Sequence, residues 1–66
     1  MDARDKKRFE TNKRHIKEYL SGSRSNPNIC VDREQVEALE RKYNIKLVQR
    51  ERLSGRLFMY TIYKLD

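Results

Sequence analysis

The sequence predicts a small α+β domain built as helix, short strand, helix and C-terminal β-hairpin. Three observations carry that expectation. Residues 5–20 hold no Gly or Pro and repeat apolar side chains at helical spacing. Asp32 opens a second helical stretch after a short β-branched run. Two β-prone segments then flank Ser54-Gly55 near the end of a 66-residue chain.

The first helix is read from Phe9, Ile16, Tyr19 and Leu20, which fall near one face, with Asn12 and Lys13 interrupting it. About four turns are expected over residues 5–20, and residues 1–7 are expected to be loose. Ser21 to Asn28 is a string of turn formers, and Gly22 stands where a helix would end. Ile29-Cys30-Val31 reads as a short strand. Asp32 takes the N-cap position, and Gln35 has the spacing of a capping box. Helix two should run from Arg33 to Tyr43 with Val36, Leu39 and Tyr43 buried, and Asn44 should close it in a left-handed conformation.

Residues 45–53 and 56–65 make the hairpin, with Ser54-Gly55 as the loop. If Leu53 pairs with Arg56, one face carries Ile45, Leu47, Gln49, Phe58, Tyr60 and Ile62 as core. The other carries Lys46, Val48, Arg50, Arg52, Leu57, Met59, Thr61 and Tyr63. Few large apolar groups can be spared in so short a chain, so helix one is expected to cover Leu57, Met59 and Tyr63. The short strand joins the hairpin as a third strand. This two-layer layout resembles a reduced winged helix with one helix fewer; the likeness is to the arrangement and not to a motif.

One domain spanning residues 1–66 is expected, hiding only about 60% of its unfolded surface. A deep enclosed pocket or a nucleotide-binding α/β fold is excluded by length. The single cysteine, Cys30, permits no internal disulfide, and no apolar run follows the charged start. No segment approaches the roughly 18 apolar residues of a membrane span. The chain reads as cytoplasmic, a complete small gene product of the phage or mobile-element type.

Sixteen Lys and Arg against ten Asp and Glu leave a net charge of +6. The charge is segregated: +4 before residue 29, −1 over residues 29–44 and +3 from residue 45 onward. Asp32, Glu34 and Glu37 at the start of helix two would repel phosphates, so that helix is not expected to read bases. Those acids complement the helix dipole instead, as do Arg41 and Lys42 at its end, and Glu37 and Arg41 are spaced for an ion pair. Candidate nucleic-acid contacts fall on the flanking elements. Lys6, Lys13 and Lys17 recur along helix one, with Lys7 and Arg14 on a neighbouring stripe and Glu10 weakening the face. On the hairpin the candidates are Lys46, Arg50, Arg52, Arg56 and Tyr63, since arginine's planar fork suits phosphate and a tyrosine ring can stack on a base.

Catalysis is not expected. His15 stands beside Arg14 and Lys17, which disfavour its protonated form, and Cys30 reads as a small hydrophobe. One Cys and one His supply no zinc spacing, Gly22 and Gly55 stand in separate turns, and no cofactor is implied. The expected function is nucleic-acid binding, DNA before RNA, of a regulatory or accessory kind, with a homodimer an option. Six neutralised phosphates would give a salt slope of roughly −5 on duplex DNA. The alternative is an inhibitor or adaptor that engages an acidic protein surface.

Overall fold

The computed structural model describes residues 3–65. Helix α1 spans Ala3–Ser21, strand β1 Asn28–Asp32, a 3-10 turn Arg33–Gln35, helix α2 Val36–Tyr43, strand β2 Ile45–Ser54 and strand β3 Leu57–Lys64. The three strands form one antiparallel sheet in the order β1-β3-β2. The fold is therefore α+β, and its strand order is compatible with a reduced winged-helix layout.

Helix α1 begins earlier than expected. Residues 3–7 are helical rather than loose; Met1 and Asp2 lie outside the described residues. The reason is a tertiary anchor: Gln35 Nε2 donates to the Asp5 carbonyl at 3.1 Å, and Arg56 reaches the Asp5 carboxylate at 3.8 Å. At the other end Gly22 (φ 90°) places Ser23 N–H on the Glu18 carbonyl at 2.8 Å and Gly22 N–H on that of Tyr19 at 3.2 Å. That pair of bonds is a Schellman closure, which needs a left-handed residue where Gly22 stands.

The second helical stretch departs from its reading in one respect. Asp32 does cap it, accepting from Glu34 N–H at 2.9 Å, but Gln35 is spent on Asp5 instead of returning to Asp32. The first turn tightens to 3-10 geometry before α2 begins. Asn44 (φ 54°) ends α2 in the left-handed region as its side chain permits. Asp32 is nearly buried and also pairs with Arg56 at 3.2 Å. Asp32→Ala is expected to lower stability by about 1–2 kcal/mol through loss of the cap. For a domain this small that is on the order of 5–15 °C in Tm. A thermal melt followed by circular dichroism reads it, and an unchanged midpoint would remove the capping role.

The hairpin keeps its expected register away from the turn: Ile45 opposes Lys64, Leu47 opposes Ile62 and Gln49 opposes Tyr60. Near the tip it does not. Irregularities between Gln49 and Arg52 and between Arg52 and Ser54 each add a residue to β2. Ser54 then closes on Leu57, so Gly55 (φ 53°) and Arg56 form the loop in place of Ser54-Gly55. The shift also moves Arg52 across the sheet. It opposes Phe58 and no longer shares a side with Arg50.

Ile29 and Val31 from β1, Ile45 and Leu47 from β2, and Tyr60 and Ile62 from β3 line one face of the sheet. Ile16 of α1 and Leu39 of α2, both fully buried, complete that core, with Phe9, Tyr19, Leu20, Val36, Tyr43 and Phe58 around it. Gln49 sits on the same side beyond the core and is exposed. The other face is not sealed by α1. Tyr63 is 48% exposed, and Leu57 and Met59 are only half-buried. α1 lies instead against β1 on the core side, where Ile16 joins Ile29 and Val31. Cys30, on that outer face, is half-buried rather than core and accepts from Arg8 Nη1 at 3.7 Å.

Candidate nucleic-acid interface

The nine residues singled out on the sequence end in three different situations. Lys6, Arg14 and Lys17 are exposed along α1, with no carboxylate within ion-pair distance among the described residues. Lys13, between them, is largely folded down: its ammonium meets Glu10 at 3.0 Å and lies 5.4 Å from the centre of the Phe9 ring. α1 thus spends one lysine internally and leaves its neighbours facing outward.

Arg50, Lys46 and Tyr63 share the uncovered sheet face. There Arg50 Nε donates to Thr61 Oγ1 at 3.0 Å and its Nη2 donates to the Tyr63 hydroxyl at 3.0 Å. Thr61 Oγ1 in turn donates to Asn28 Oδ1 at 2.8 Å. This polar ladder crosses all three strands and fixes the Arg50 side chain flat on the sheet. Arg52 stands alone on the opposite side near the tip.

Arg56 is in the third situation. Its guanidinium meets Glu34 at 3.0 Å, Asp32 at 3.2 Å and Asp5 at 3.8 Å. Asp32 first, then Glu34 and Asp5, hold its pKa above the ordinary arginine value. A cation so matched fastens the hairpin turn to the starts of α1 and the 3-10 turn, and has little charge left for an external phosphate. Sequence spacing gave no warning, because the three acids come from positions 5, 32 and 34.

Two depressions larger than the cleft at Arg56 flank α1. One, about 260 Å³, lies between α1 and the end of α2 and is lined by Glu10, Lys13, Arg14, Lys17, Lys42 and Tyr43. Lys42 was read only as a dipole partner, yet it joins the α1 cations here, with its ammonium 5.8 Å from the Tyr43 ring centre. The other, about 340 Å³, lies between α1 and β1 and is lined by Arg4, Lys7, Arg8, Thr11, Asn12, His15 and Cys30. Arg4, Arg8, Thr11 and His15 recur at intervals of four, three and four, one stripe of a helix. Treating residues 1–7 as loose concealed that stripe.

His15 reports the field on this side. Its pKa lies below the ordinary 6.5 because of burial first, then Arg24 and Arg14, against the opposing pull of Glu18. The native state therefore binds this proton more weakly than the unfolded chain does. Its contribution to stability is intact above about pH 6.5 and declines as pH falls from there through the lowered native value. Denaturation at about pH 7.5 and about pH 5.5 should show a smaller difference in His15→Gln than in the parent. An equal difference in both would assign the pH response to other groups.

No family model, no curated protein and no solved structure matches the chain. Among the described residues no group of three or more His, Cys, Asp or Glu is placed to hold a metal ion. No helix among them is long and apolar enough to cross a membrane.

Proposed function

We propose that the protein is an intracellular nucleic-acid-binding factor that holds the phosphate backbone in the groove between α1 and the end of α2. The observation that carries this reading is the set of outward cations there. Arg14 and Lys17 of α1 and Lys42 of α2 line the groove and Lys6 stands exposed further along α1, none with an acidic partner among the described residues, while the nearby Glu10 is matched by Lys13. Phosphate oxygens spaced along a strand are the natural complement of such a row, and backbone contacts of this kind require no base readout. The acidic start of α2 lies at the other end of that helix and does not oppose the approach.

This reading moves weight from the hairpin tip to the helices. Arg56 is neutralised by three carboxylates and Arg50 is held by Thr61 and Tyr63. Four phosphate contacts in place of six give an expected salt slope of about −4 on duplex DNA. Fluorescence anisotropy with duplex DNA, single-stranded DNA and RNA across a salt series is the test. Affinity should fall steeply with salt, with duplex DNA bound best. Absence of binding to all three at low salt would overturn the reading.

A second reading is favoured by the uncovered sheet face, where Tyr63 and Met59 lie among Lys46 and Arg50. Tyr, Met and Arg are enriched in protein interfaces, so an acidic protein partner is the alternative occupant.

A further inference from the structure

We infer that the cavity between α1 and β1 is a binding site for a phosphomonoester group. It lies on the opposite flank of α1 from the groove described above and does not depend on it. Three cations, Arg4, Lys7 and Arg8, line it together with Thr11, Asn12, His15 and Cys30. Its volume of about 340 Å³ is at the small end of the range for ligand sites.

Arg8 is the first argument. It is half-buried, and its guanidinium has no carboxylate within ion-pair distance among the described residues; its one acceptor is the Cys30 sulfur at 3.7 Å. A thiol is a weak acceptor, and a partly desolvated guanidinium without a counter-charge is costly. Acids are close at hand but turned towards Arg56. Asp5 and Asp32 line an adjoining cleft with Arg4 and Arg8, and both face Arg56. Three carboxylates thus gather on Arg56, and among the described residues none comes within ion-pair distance of Arg8.

Asn12 is the second argument and is independent of charge. It lines the same cavity, is 2% exposed, and its Nδ2 has no hydrogen-bond partner. Buried amides are almost always hydrogen-bonded, so an unmet one beside a cationic cavity calls for an acceptor. The Thr11 hydroxyl adds another polar group to the same wall.

The donor set selects the ligand class. Three cations and an amide match a dianion with three terminal oxygens better than a carboxylate or a phosphodiester, which carry one charge and two free oxygens. The group can be supplied by the 5′ end of a polynucleotide or by a free mononucleotide.

The test uses the whole chain labelled with ¹⁵N. Inorganic phosphate and a nucleoside 5′-monophosphate are titrated at constant ionic strength, and shifts are followed at the Asn12 side-chain amide and the Thr11 and Cys30 backbone amides. Saturable shifts confined to these positions are expected, with loss of at least about tenfold in affinity in Arg8→Gln. Arg4→Gln, at an exposed position, serves if Arg8→Gln does not fold. A 5′-phosphorylated oligonucleotide binding about tenfold more tightly than its 5′-hydroxyl counterpart would identify a chain end as the source. Equal oligonucleotide affinities together with mononucleotide shifts would identify the free nucleotide. No saturable shift at these residues with either small ligand, and no 5′-phosphate preference, would overturn the site while leaving the groove open to its own test. Cavity shifts without oligonucleotide binding would keep the site and overturn the groove.

Discussion

Ile16→Ala is expected to remove much of the protein's stability. Ile16 is fully buried and is the one fully buried apolar side chain that α1 contributes to the core; Phe9, Tyr19 and Leu20 are only partly buried. Deleting a buried isoleucine to alanine costs about 2–5 kcal/mol, with the larger values where the surroundings cannot collapse. Collapse is limited here because Val31 and Leu39, also fully buried, belong to β1 and α2, which are anchored elsewhere. A domain of this length has roughly 3–10 kcal/mol in all. The variant should therefore melt about 10–30 °C lower than the parent, or be unfolded at physiological temperature. Lys17→Ala is the matched control: one position along and exposed, it should change stability by no more than about 0.5 kcal/mol. An Ile16→Ala protein as stable as that control would mean that α1 is not docked on the sheet.

Replacing Lys6, Arg14 and Lys17 together by Gln is expected to have the largest effect on binding. Each removed contact lowers the salt slope on duplex DNA by about 0.9, so the triple variant should lose about 2.7 from it. Electrostatic binding fades near molar salt, so that change corresponds to about two to three orders of magnitude in affinity at about 0.1 M salt. The three side chains are exposed and make no ion pair among the described residues, and glutamine keeps their helix propensity, so the fold should persist. Arg41→Gln supplies the comparison. Arg41 is paired with Glu37 at 2.6 Å and lies outside both depressions, so its loss should alter affinity little. A triple variant that binds with the parent's slope would place the contacts elsewhere. The uncovered sheet face would then be the next surface to test.

What the sequence discloses about this fold is what local rules govern. Gly22 and Asn44 end their helices because a left-handed residue was needed and each could supply one. Asp32 caps because its side chain needs only the next few amides. The strand partition of Ile45, Leu47, Tyr60 and Ile62 followed from period two, and its register holds although the loop is Gly55-Arg56, because two added residues in β2 offset the displaced loop. Long-range contacts were hidden. Gln35 has capping-box spacing, but its amide goes to a carbonyl thirty positions away. No local pattern announces the added residues in β2. The candidate site divides the same way. Exposure of Lys6, Arg14 and Lys17 was legible from helical spacing. The neutralisation of Arg56 and the gathering of Arg8, Asn12 and Cys30 were not, since they join the first turns of α1 to strands far along the chain.

Arg56 has one more consequence, for how the chain comes apart. It sits in the last loop, and it touches Asp5 near the beginning of the first helix and Asp32 and Glu34 midway. The backbone reinforces the same spot, with Arg33 N–H donating to the Arg56 carbonyl at 2.8 Å. In order of sequence α1 is an outer segment and the hairpin another, and beyond the shared core this node ties the two ends together. Joined at this node, peeling from either end strains the same contacts, so one side's loosening is transmitted to the other. In a short chain with a thin core, such a tie is expected to favour opening as a unit over fraying, with hydrogen exchange of α1 and hairpin amides at matched rates as its signature.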